Sequence, residues 1–402
     1  MGVRSYFLPL FNIHQAEREL VKIGVDPTGI EIMAPKFLHL PIKLLGLDFR
    51  AGNILKQEML SLGGEAAISR SAFELREGKT DVLLSGTLRQ YRLLIEKLKR
   101  QPFGLARVGE RLSSMIASFG RREIPFKARG KELTLGSRTV IMGVINITPD
   151  SFSGDGIYKD PEKAVDRALM MIDSGAEMID IGGESSRPGA ELVSVSEELS
   201  RVLPVITKLR EKTEALISID TYKPEVAKEA LAVGADIVND VGGLYQGEKL
   251  LPLIREYKAG LIIMHMPNPP ERRHKRPPYR DLIGDIVSFF EDKMKEVEEA
   301  GVSEEQVVID PGIGFAKNVE DNYLIIEMLQ AFRSLGRPVL VGPSRKSFIG
   351  KVLDLPPEER LEGTAGAVAA IVLNRGDIIR VHDVAAMKRV ITIAEKVREA
   401  RM

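Results

Sequence analysis

The sequence of 402 residues contains no cysteine, which excludes disulfide bonds, thiolate metal sites and a cysteine nucleophile. No apolar run approaches the roughly 18 residues that a membrane-spanning helix requires. The first residues, MGVRSYFLPLFN, lack the long apolar core and the small-residue cleavage site of a signal peptide. We therefore expect a soluble, cytoplasmic protein.

The chain also has no excess of charge of either sign. It contains 57 Lys and Arg residues and 57 Asp and Glu residues, so its formal net charge is zero. This balance argues against nucleic acid or an anionic membrane as the main partner, although it allows a local cationic pocket for a small anion. With 44% apolar residues, the chain is long enough for one large domain and a smaller one.

From Thr139 onward, short apolar runs alternate with longer segments of helical periodicity. The eight runs predicted to be strands are Val140–Ile145, Met178–Ile181, Leu216–Ile219, Asp236–Val238, Leu261–Met264, Val307–Ile309, Pro338–Val341 and Ile378–Val381. The predicted helices are Pro161–Ser174, Val195–Lys212, Pro224–Val233, Glu248–Tyr257, Asp285–Ala300, Val319–Leu335, Arg360–Leu373 and Val384–Arg398. Eight such units over about 260 residues favour a (β/α)8 TIM barrel. An open doubly wound sheet is the alternative, but the Gly-rich dinucleotide fingerprint is missing.

Residues 1–120 predict a separate small α/β domain of unknown role. The predicted elements are strands at Ser5–Leu10 and Asp81–Leu84 and helices at Gln15–Lys22, Asn53–Leu62 and Leu88–Lys99. The apolar segment Lys36–Leu47 is predicted to form an interface. We hypothesise that this domain supplies no catalytic groups and joins the barrel at the face opposite the active site.

Residues 121–138 predict a β-hairpin that turns at Arg129-Gly130. Such a hairpin could link the two domains or plug the bottom of the barrel. The barrel itself is predicted to span residues 139–402.

Polar residues stand at or just beyond the end of every predicted barrel strand. They are Asn146, Glu184, Ser185, Asp220, Asn239, Asp240, His265, Asp310, Ser344, Arg345, Lys346, Arg380 and His382. A single Asp at a strand end, such as Asp220, is often only a helix cap. Because the carboxyl ends of all eight strands surround one mouth of a TIM barrel, polar residues at all of them predict a shared active site.

The chemistry of these residues falls into groups. Acceptors and an amide suited to a flat, donor-rich heterocycle come from Asp220, Asn239 and Asp310. Groups that are cationic or can become so, and that suit phosphate, are Arg187, Lys346, Arg380 and His382. Asn146 could give Mg²⁺ the neutral oxygen ligand that this ion accepts alongside substrate phosphates. The set predicts a polar heterocycle at the centre of the mouth and a diphosphate near its rim.

Eight motifs in order make the barrel resemble the dihydropteroate synthase family. They are GVINITPDSFSGDG, IDIGGESSRPGA, ISIDTYKPEVAKEAL, IVNDVGG, MHM, IDPGIGFAK, GPSRKSFIG and RVHDV. The resemblance covers residues 139–400 and leaves out the first 120. It implies a transferase of folate biosynthesis that joins 6-hydroxymethyl-7,8-dihydropterin diphosphate to 4-aminobenzoate, giving dihydropteroate and diphosphate. It also implies a homodimer formed through helices near the C-terminus.

The resemblance assigns roles by position. It implies that the pterin ring is bound by Asp220, Asn239, Asp310 and Lys346, of which Asp220, Asp310 and Lys346 would be catalytic. It implies Mg²⁺ on Asn146, and diphosphate on Arg187, Arg380 and His382. The residues implied around the aminobenzoate are Ser186, Arg187, Pro188, Phe315, Lys346 and Ser347.

The sequence departs from the family pattern in two places. The first loop reads SGDG where SDGG is usual, which displaces Asp155 by one position and puts its role in doubt. Ser186 replaces the usual Thr and keeps the hydroxyl.

Three other functions remain open at the level of sequence. The acceptor could be another arylamine, such as the aminobenzoyl ribose phosphate of a methanopterin-type pathway. A pterin-binding methyltransferase shares the Asp and Asn positions, but it needs no diphosphate site. A barrel without activity could serve as a binding module, although it would not need every charged strand end.

Overall fold

The computed structural model describes residues 4–74, 78–148, 160–185 and 192–400. The chain divides into two compact units, of which the first ends at Gly120 and the second spans Arg121–Arg398. Each unit has a hydrophobic core of its own. Within the described ranges, no helix is both long and apolar enough to cross a membrane.

The first unit combines helices with a small antiparallel sheet. Its helices are α1 (Ile13–Ile23), α2 (Pro27–Phe37), α3 (Phe49–Ser61), α4 (Arg70–Phe73), α5 (Leu88–Leu98) and α6 (Leu105–Gly120). Its strands are β1 (His39–Asp48), β2 (Glu65–Ile68) and β3 (Lys79–Thr87), in the order β1-β3-β2. Alternate residues of β3, among them Val82 and Leu84, pack on one face against Leu55 and Leu94 of the helices.

One strand prediction for this unit is wrong, and the segment predicted to form an interface belongs in part to the unit's own core. Ser5–Leu10 is not a strand, and Pro9 in its middle has no N–H to give to a neighbouring strand. Lys36–Leu47 lies mostly in β1, where Ile42 and Leu44 are buried in the core of the unit itself. Its apolar character is therefore explained without a partner surface.

The second unit begins with a hairpin of β4 (Ile124–Ala128) and β5 (Lys131–Leu135). The two turn residues, Arg129 and Gly130, have φ of 51° and 81°. Two successive left-handed residues are typical of the tight turn that connects two strands of a β-hairpin. Phe126, Ala128 and Leu135 of this hairpin pack with the first inward residues of the barrel strands. The hairpin thus plugs the amino-terminal end of the barrel.

The prediction of a TIM barrel is confirmed. The eight parallel strands are β6 (Val140–Asn146), β7 (Met178–Gly182), β8 (Leu216–Asp220), β9 (Ile237–Asp240), β10 (Gly260–Met264), β11 (Val307–Asp310), β12 (Leu340–Val341) and β13 (Ile378–Val381). They pair in sequence order, β13 pairs with β6, and a bridge between Ile309 and Val339 closes the ring between β11 and β12.

The helices that surround the barrel lie close to their predicted positions, except that the helix at Ser347–Leu353 was not predicted. They are α7 (Pro161–Asp173), α8 (Val195–Lys212), α9 (Pro224–Ala232), α10 (Gly247–Tyr257), α11 (Leu282–Glu299), α12 (Val319–Glu327), α13 (Leu329–Arg333), α14 (Ser347–Leu353), α15 (Leu361–Leu373) and α16 (Val384–Ala400). The single helix predicted over Val319–Leu335 is wrong, because the chain leaves helical geometry at Met328, where φ is −96° and ψ is 18°.

Candidate active site

Along five of the eight barrel strands, the inward side chains change from apolar to polar. Since successive side chains of a strand point to opposite faces, residues two apart share the lumen. The apolar inward set near the amino-terminal end is Val140, Met142, Met178, Leu216, Ile237, Ile262, Val308, Leu340 and Ile378. Two residues further on, the polar set is Asp180, Ser218, Asn239, Asp310 and Arg380. The polar groups therefore gather at the carboxyl end of the lumen.

Arg380 of β13 connects several of these groups. Its Nε donates to Oδ2 of Asp180 at 2.6 Å, and its Nη2 donates to Oδ2 of Asp220, also at 2.6 Å. Nδ2 of Asn239 donates to the same Asp180 oxygen at 3.1 Å. Four polar side chains from four strands thus form one continuous hydrogen-bonded chain, in the order Asn239, Asp180, Arg380 and Asp220.

Burial shifts the carboxyl groups of this site toward their neutral forms. The pKa of Asp220 is raised to about 7, because burial outweighs the opposing charge of Arg380 and Asp180 adds repulsion. Burial likewise raises the pKa of Asp310, against the attraction of Lys346. Oδ1 of Asp310 accepts a hydrogen bond of 2.7 Å from the backbone N–H of Gly312, which fixes its orientation.

Lys346 lies between the two acidic strand ends and the loop after β11. Its ammonium group donates to the carbonyl of Ile313 and lies 4.7 Å from the ring centroid of Phe315. A Cβ at Gly314, where φ is 82°, would come within 2.7 Å of Cδ of Lys346, so this position suits only glycine. Burial lowers the pKa of Lys346 to about 8, although Asp310 favours its charged form.

Asn146 and His382 meet at the rim of the same mouth. Nδ2 of Asn146 lies 3.3 Å from Nε2 of His382, whose Nδ1 lies 2.9 Å from Oγ of Ser344. Burial and the neighbouring Arg380 lower the pKa of His382 to about 3, so the imidazole is neutral at pH 7. A neutral His382 can accept from Asn146 and donate to Ser344, which leaves Oδ1 of Asn146 for another partner.

Comparison with known proteins identifies the family of this barrel. The model of the family described as pterin binding enzyme matches residues 142–382. Over 258 residues, the chain is 48% identical to the dihydropteroate synthase of Bacillus subtilis (strain 168), an alignment that covers 64% of this chain and 88% of that enzyme. The chain belongs to the pterin-binding enzymes, and within them to the dihydropteroate synthases.

Two further relatives of this family bear on the two units. The dihydropteroate synthase of Xanthomonas albilineans, solved with 4-aminobenzoic acid, is 38% identical with a TM-score of 0.64 and covers 69% of this chain and 98% of its own. A probable bifunctional folylpolyglutamate synthase/dihydropteroate synthase of Halobacterium salinarum is 40% identical over 389 residues, which are 96% of this chain and 46% of that protein. The match to the Halobacterium protein therefore includes most of the first unit.

Some predicted site residues of this dihydropteroate synthase lie apart from the central group or outside the described residues. Ser186, Arg187, Pro188 and Asp155 belong to residues that the structure does not describe. Ser347 is exposed at the first position of α14, and Phe315 is buried beside Lys346.

Two of the polar strand ends have local partners. Asp240 accepts from the N–H groups of Gly242 and Leu244 in its own turn, at 2.8 Å and 2.5 Å. The ring of His265 is buried, with its centroid 4.9 Å from that of Phe289. Both residues therefore support the structure of their loops.

Sequence reasoning missed Asp180, which is fully buried in the middle of β7. The signal was present, because an ionisable residue inside the apolar run MIDIG must be paired when both faces of its strand are buried. It also missed Lys223, which contacts Glu184 at 2.8 Å, and Arg273, which contacts the same carboxylate at 2.7 Å. The contacts of Lys223 and Arg273 come from loops far apart in sequence, so no local pattern predicts them.

The residues at the rim fit a magnesium ion that is shared with substrate. A Cβ placed on Gly182 would lie 3.5 Å from Oδ1 of Asn146 and 3.6 Å from Oδ2 of Asp220, so two oxygens converge where glycine leaves space. Among the described residues, no group of three or more His, Asp or Glu side chains could hold a metal by itself. Oxygen ligands that are few in number suit Mg²⁺ completed by phosphate oxygens and water.

Proposed function

We propose that the chain condenses 6-hydroxymethyl-7,8-dihydropterin diphosphate with 4-aminobenzoate in the cytoplasm and that it requires Mg²⁺. The observation that carries the proposal is a set of two carboxyl groups, an amide and an amine, buried or half-buried at the carboxyl end of one lumen: Asp220, Asp310, Asn239 and Lys346. A pterin edge alternates ring N–H groups and acceptors, and this set offers partners of both kinds. The 4-aminobenzoic acid held by the Xanthomonas enzyme supports the choice of acceptor.

The reaction breaks the bond between the exocyclic CH₂ of the pterin and an oxygen of the diphosphate. The electron pair of this bond leaves with the diphosphate, and the remaining cation is delocalised into the pterin ring. The lone pair of the aromatic amine then forms the C–N bond, and the amine proton passes to solvent or to diphosphate. An arylamine is already unprotonated at neutral pH, so the enzyme needs no strong general base.

The charges in the lumen suit a cation that forms on the pterin. Asp220 and Asp310 are both buried near the floor of the site, where a developing positive charge would favour their ionised forms. In the substrate-free site, Asp220 has a pKa raised to about 7 and shares Arg380 with Asp180. Binding of a cationic transition state would thus relieve the unfavourable burial of these carboxylates.

The rim would hold the leaving group. Oδ1 of Asn146 would ligate Mg²⁺, whose positive charge neutralises the oxygens of the departing diphosphate. His382 is neutral at pH 7, and by accepting from Nδ2 of Asn146 it would keep Oδ1 of that amide turned toward the ion. Arg187, in the second loop, stays a predicted contact to the diphosphate.

Incubation of the protein with the pterin diphosphate, Mg²⁺ and a panel of arylamines tests this function. We expect diphosphate release and dihydropteroate formation with 4-aminobenzoate, and no release without an arylamine that has a free NH₂. If the protein preferred an aminobenzoyl ribose phosphate, the proposed acceptor would be wrong but the proposed type of reaction would stand. Methyl transfer without diphosphate release would contradict the proposal, and full turnover in excess chelator would contradict the role of Mg²⁺.

We also propose a homodimer formed through the barrel helices α12, α14 and α15, which pack against one another. These helices and the residue that separates α12 from α13 carry large apolar side chains between 36% and 59% exposed, namely Tyr323, Leu324, Met328, Val352, Leu353 and Leu361. Exposed apolar groups concentrated on neighbouring helices favour burial against a second copy. A monomer mass in light scattering at working concentration would contradict this assembly.

A further inference from the structure

Asp180 is the buried charged residue in the lumen that the reaction above does not use directly. It lies in the middle of β7, and none of its surface is exposed. Its Oδ2 accepts from Nε of Arg380 at 2.6 Å and from Nδ2 of Asn239 at 3.1 Å. One oxygen of one carboxylate therefore holds two residues that line the proposed pterin site.

The contact with Asp180 fixes which end of the Asn239 amide faces the ligand. A carboxylate that already accepts from an arginine offers only acceptors, so the NH₂ of the amide must turn toward it. Oδ1 of Asn239 then points away from Asp180. This oxygen is buried and has no hydrogen-bond partner within the described part of the chain, although a buried acceptor without a partner is unfavourable. A ring N–H of a bound pterin would supply the missing donor.

The same carboxylate also fixes the plane of Arg380. Asp180 takes Nε of the guanidinium and Asp220 takes Nη2, so two carboxylates on adjacent strands hold two edges of one planar group. Because a guanidinium donates only in its plane, these two bonds set its rotation about the side-chain axis. Asp220 is in this way connected to Asn239 through Arg380 and Asp180.

We propose that Asp180 is a positioning residue for pterin recognition, which holds the Asn239 amide with its oxygen toward a ring N–H and holds Arg380 against Asp220. This inference rests on the proposed function, because it takes the lumen to be the pterin site. It assigns no contact of Asp180 with the reacting carbon, so the reaction itself proceeds through the other residues. Loss of Asp180 should therefore weaken pterin binding far more than aminobenzoate binding.

The first test compares Asp180→Asn with Asp240→Asn. Asparagine keeps the size of Asp180 but can present its own NH₂ to Asn239, which releases the constraint on the amide. We expect KM for the pterin diphosphate to rise by about tenfold or more, because a buried donor or acceptor on the ligand loses its partner. KM for 4-aminobenzoate should stay within about twofold, since no bond to that substrate is lost.

Asp240 is the matched control for this variant. It is also a buried carboxyl group at the end of a barrel strand, but it accepts from the N–H groups of Gly242 and Leu244 in its own turn. Asp240→Asn should keep both KM values of the parent. A folded Asp180→Asn protein with parent KM values would overturn the proposal.

A second variant tests the amide orientation even if Asp180→Asn does not fold. Asn239→Asp places a second carboxyl group against Asp180, and only its protonated form can donate to Asp180 while its carbonyl oxygen faces the pterin. Affinity for 6-hydroxymethyl-7,8-dihydropterin, relative to the parent, should therefore be low near pH 9 and recover toward about pH 6. A ratio that does not recover toward pH 6 would contradict this arrangement, because the protonated carboxyl group would then fail to replace the amide.

The ratio of variant to parent is needed because other groups also face this lumen. The carboxyl groups of Asp220 and Asp310 and the cationic groups of Arg380 and Lys346 act on both proteins. A flat ratio across this pH range would overturn the assigned orientation.

Combining Asp180→Asn with Asn239→Ala separates positioning from direct contact. If Asp180 acts through Asn239, the double variant should bind dihydropterin about as weakly as Asn239→Ala alone. Multiplying effects would show that Asp180 does not act through Asn239 and would overturn its assigned role in orienting the amide. Failure of the proposed function is distinguishable, because the parent would then release no diphosphate with any arylamine while the dihydropterin affinities could still be compared.

Discussion

The two ends of the barrel lumen are built from the same eight strands and differ in almost every other respect. At the amino-terminal end, inward side chains such as Met142, Met178 and Ile262 are apolar, and the hairpin residue Phe126 packs among them. At the carboxyl end, Asp180 and Arg380 occupy the next inward positions. On five of the eight strands, a shift of two residues thus separates the part of the barrel that stabilises the fold from the part suited to chemistry.

The two ends also differ in how well their polar groups are satisfied. Buried side-chain atoms without a partner among the described residues include Oδ1 of Asp180, Oγ of Ser218 and Oδ1 of Asn239, all in the polar end of the lumen. Burial also moves the pKa values of Asp220 and Lys346 toward the neutral forms. Such unfavourable groups are expected where a site is prepared for a ligand at the expense of stability.

The largest expected effect is the loss of activity when the polar end is altered. Asp220→Ala and Lys346→Ala should each reduce condensation by about a thousandfold or more, because each removes a group that would contact the pterin or its developing charge. The melting temperature of both variants should stay close to that of the parent. Activity is measured as diphosphate release. Normal turnover by either folded variant would contradict the assignment of catalysis to the polar end of the lumen.

Alteration of the apolar end should have the opposite result. Phe126 is 1% exposed, and Phe126→Ala should lower the free energy of unfolding by about 3–5 kcal/mol through lost burial and a cavity. Lys127→Ala, on the solvent side of the same strand, removes only an exposed ion pair with Glu305 and should leave the free energy of unfolding close to that of the parent. Urea unfolding gives both values. A drop in kcat per folded Phe126→Ala molecule would mean that the two ends are coupled.

The pH dependence of stability should expose the unfavourable burial of Lys346. Its pKa is about 8 in the folded chain and near its ordinary value of 10.5 when unfolded, so the folded state binds the proton less tightly. Stability should therefore fall as pH decreases from about 10.5 to about 8 and change no further below it, by an amount on the order of 1–3 kcal/mol. The Lys346→Met variant should not lose stability over this pH range. Identical profiles of stability against pH for parent and variant would contradict the prediction.

The sequence was informative where burial is uniform and less so where contacts are long-range. Barrel strands such as Val307–Asp310 were placed to within one or two residues because both faces are buried and the residues are β-branched. The polar residues at the strand ends could be predicted as well, because they stand directly after these apolar runs. Helix α13 was not separated from α12, because nothing in the local pattern marks the break at Met328.

The interior of the site was harder to predict than its rim. Asp180 stands before the end of its strand, whereas the predicted site residues follow from the polar ends of the strands. In the first unit, Ser5–Leu10 has strand-like composition but no strand beside it, and a strand without a partner is not stable. The role of Asp180 and the absence of a strand at Ser5–Leu10 both depend on contacts between residues far apart in the sequence. Local residue propensities cannot predict such contacts.

Removal of residues 1–120 should have the smallest effect on catalysis. This deletion tests whether the mouth of the barrel is complete without the first unit. The described site residues, from Asn146 to His382, all belong to the second unit, and so does the hairpin that closes the opposite end. The first unit has a separate core around Leu55, so its removal leaves the core of the barrel intact. We therefore expect a truncated chain of residues 121–402 with kcat within about twofold of the parent per folded molecule, and with reduced stability or solubility.

The contrary possibility is that the first unit takes part in choosing the acceptor, in cis or from a second chain. The alignment with the Halobacterium relative runs through this unit, whereas the Bacillus relative matches little beyond the barrel, so the unit accompanies some barrels and is dispensable to others. Steady-state kinetics of the truncated chain with several arylamines decides between the two. A folded barrel that keeps its pterin KM but loses most of its kcat, or its preference among arylamines, would show that the first unit completes the aminobenzoate side of the site. Parent kinetics with a lower melting temperature would show that the first unit serves stability alone.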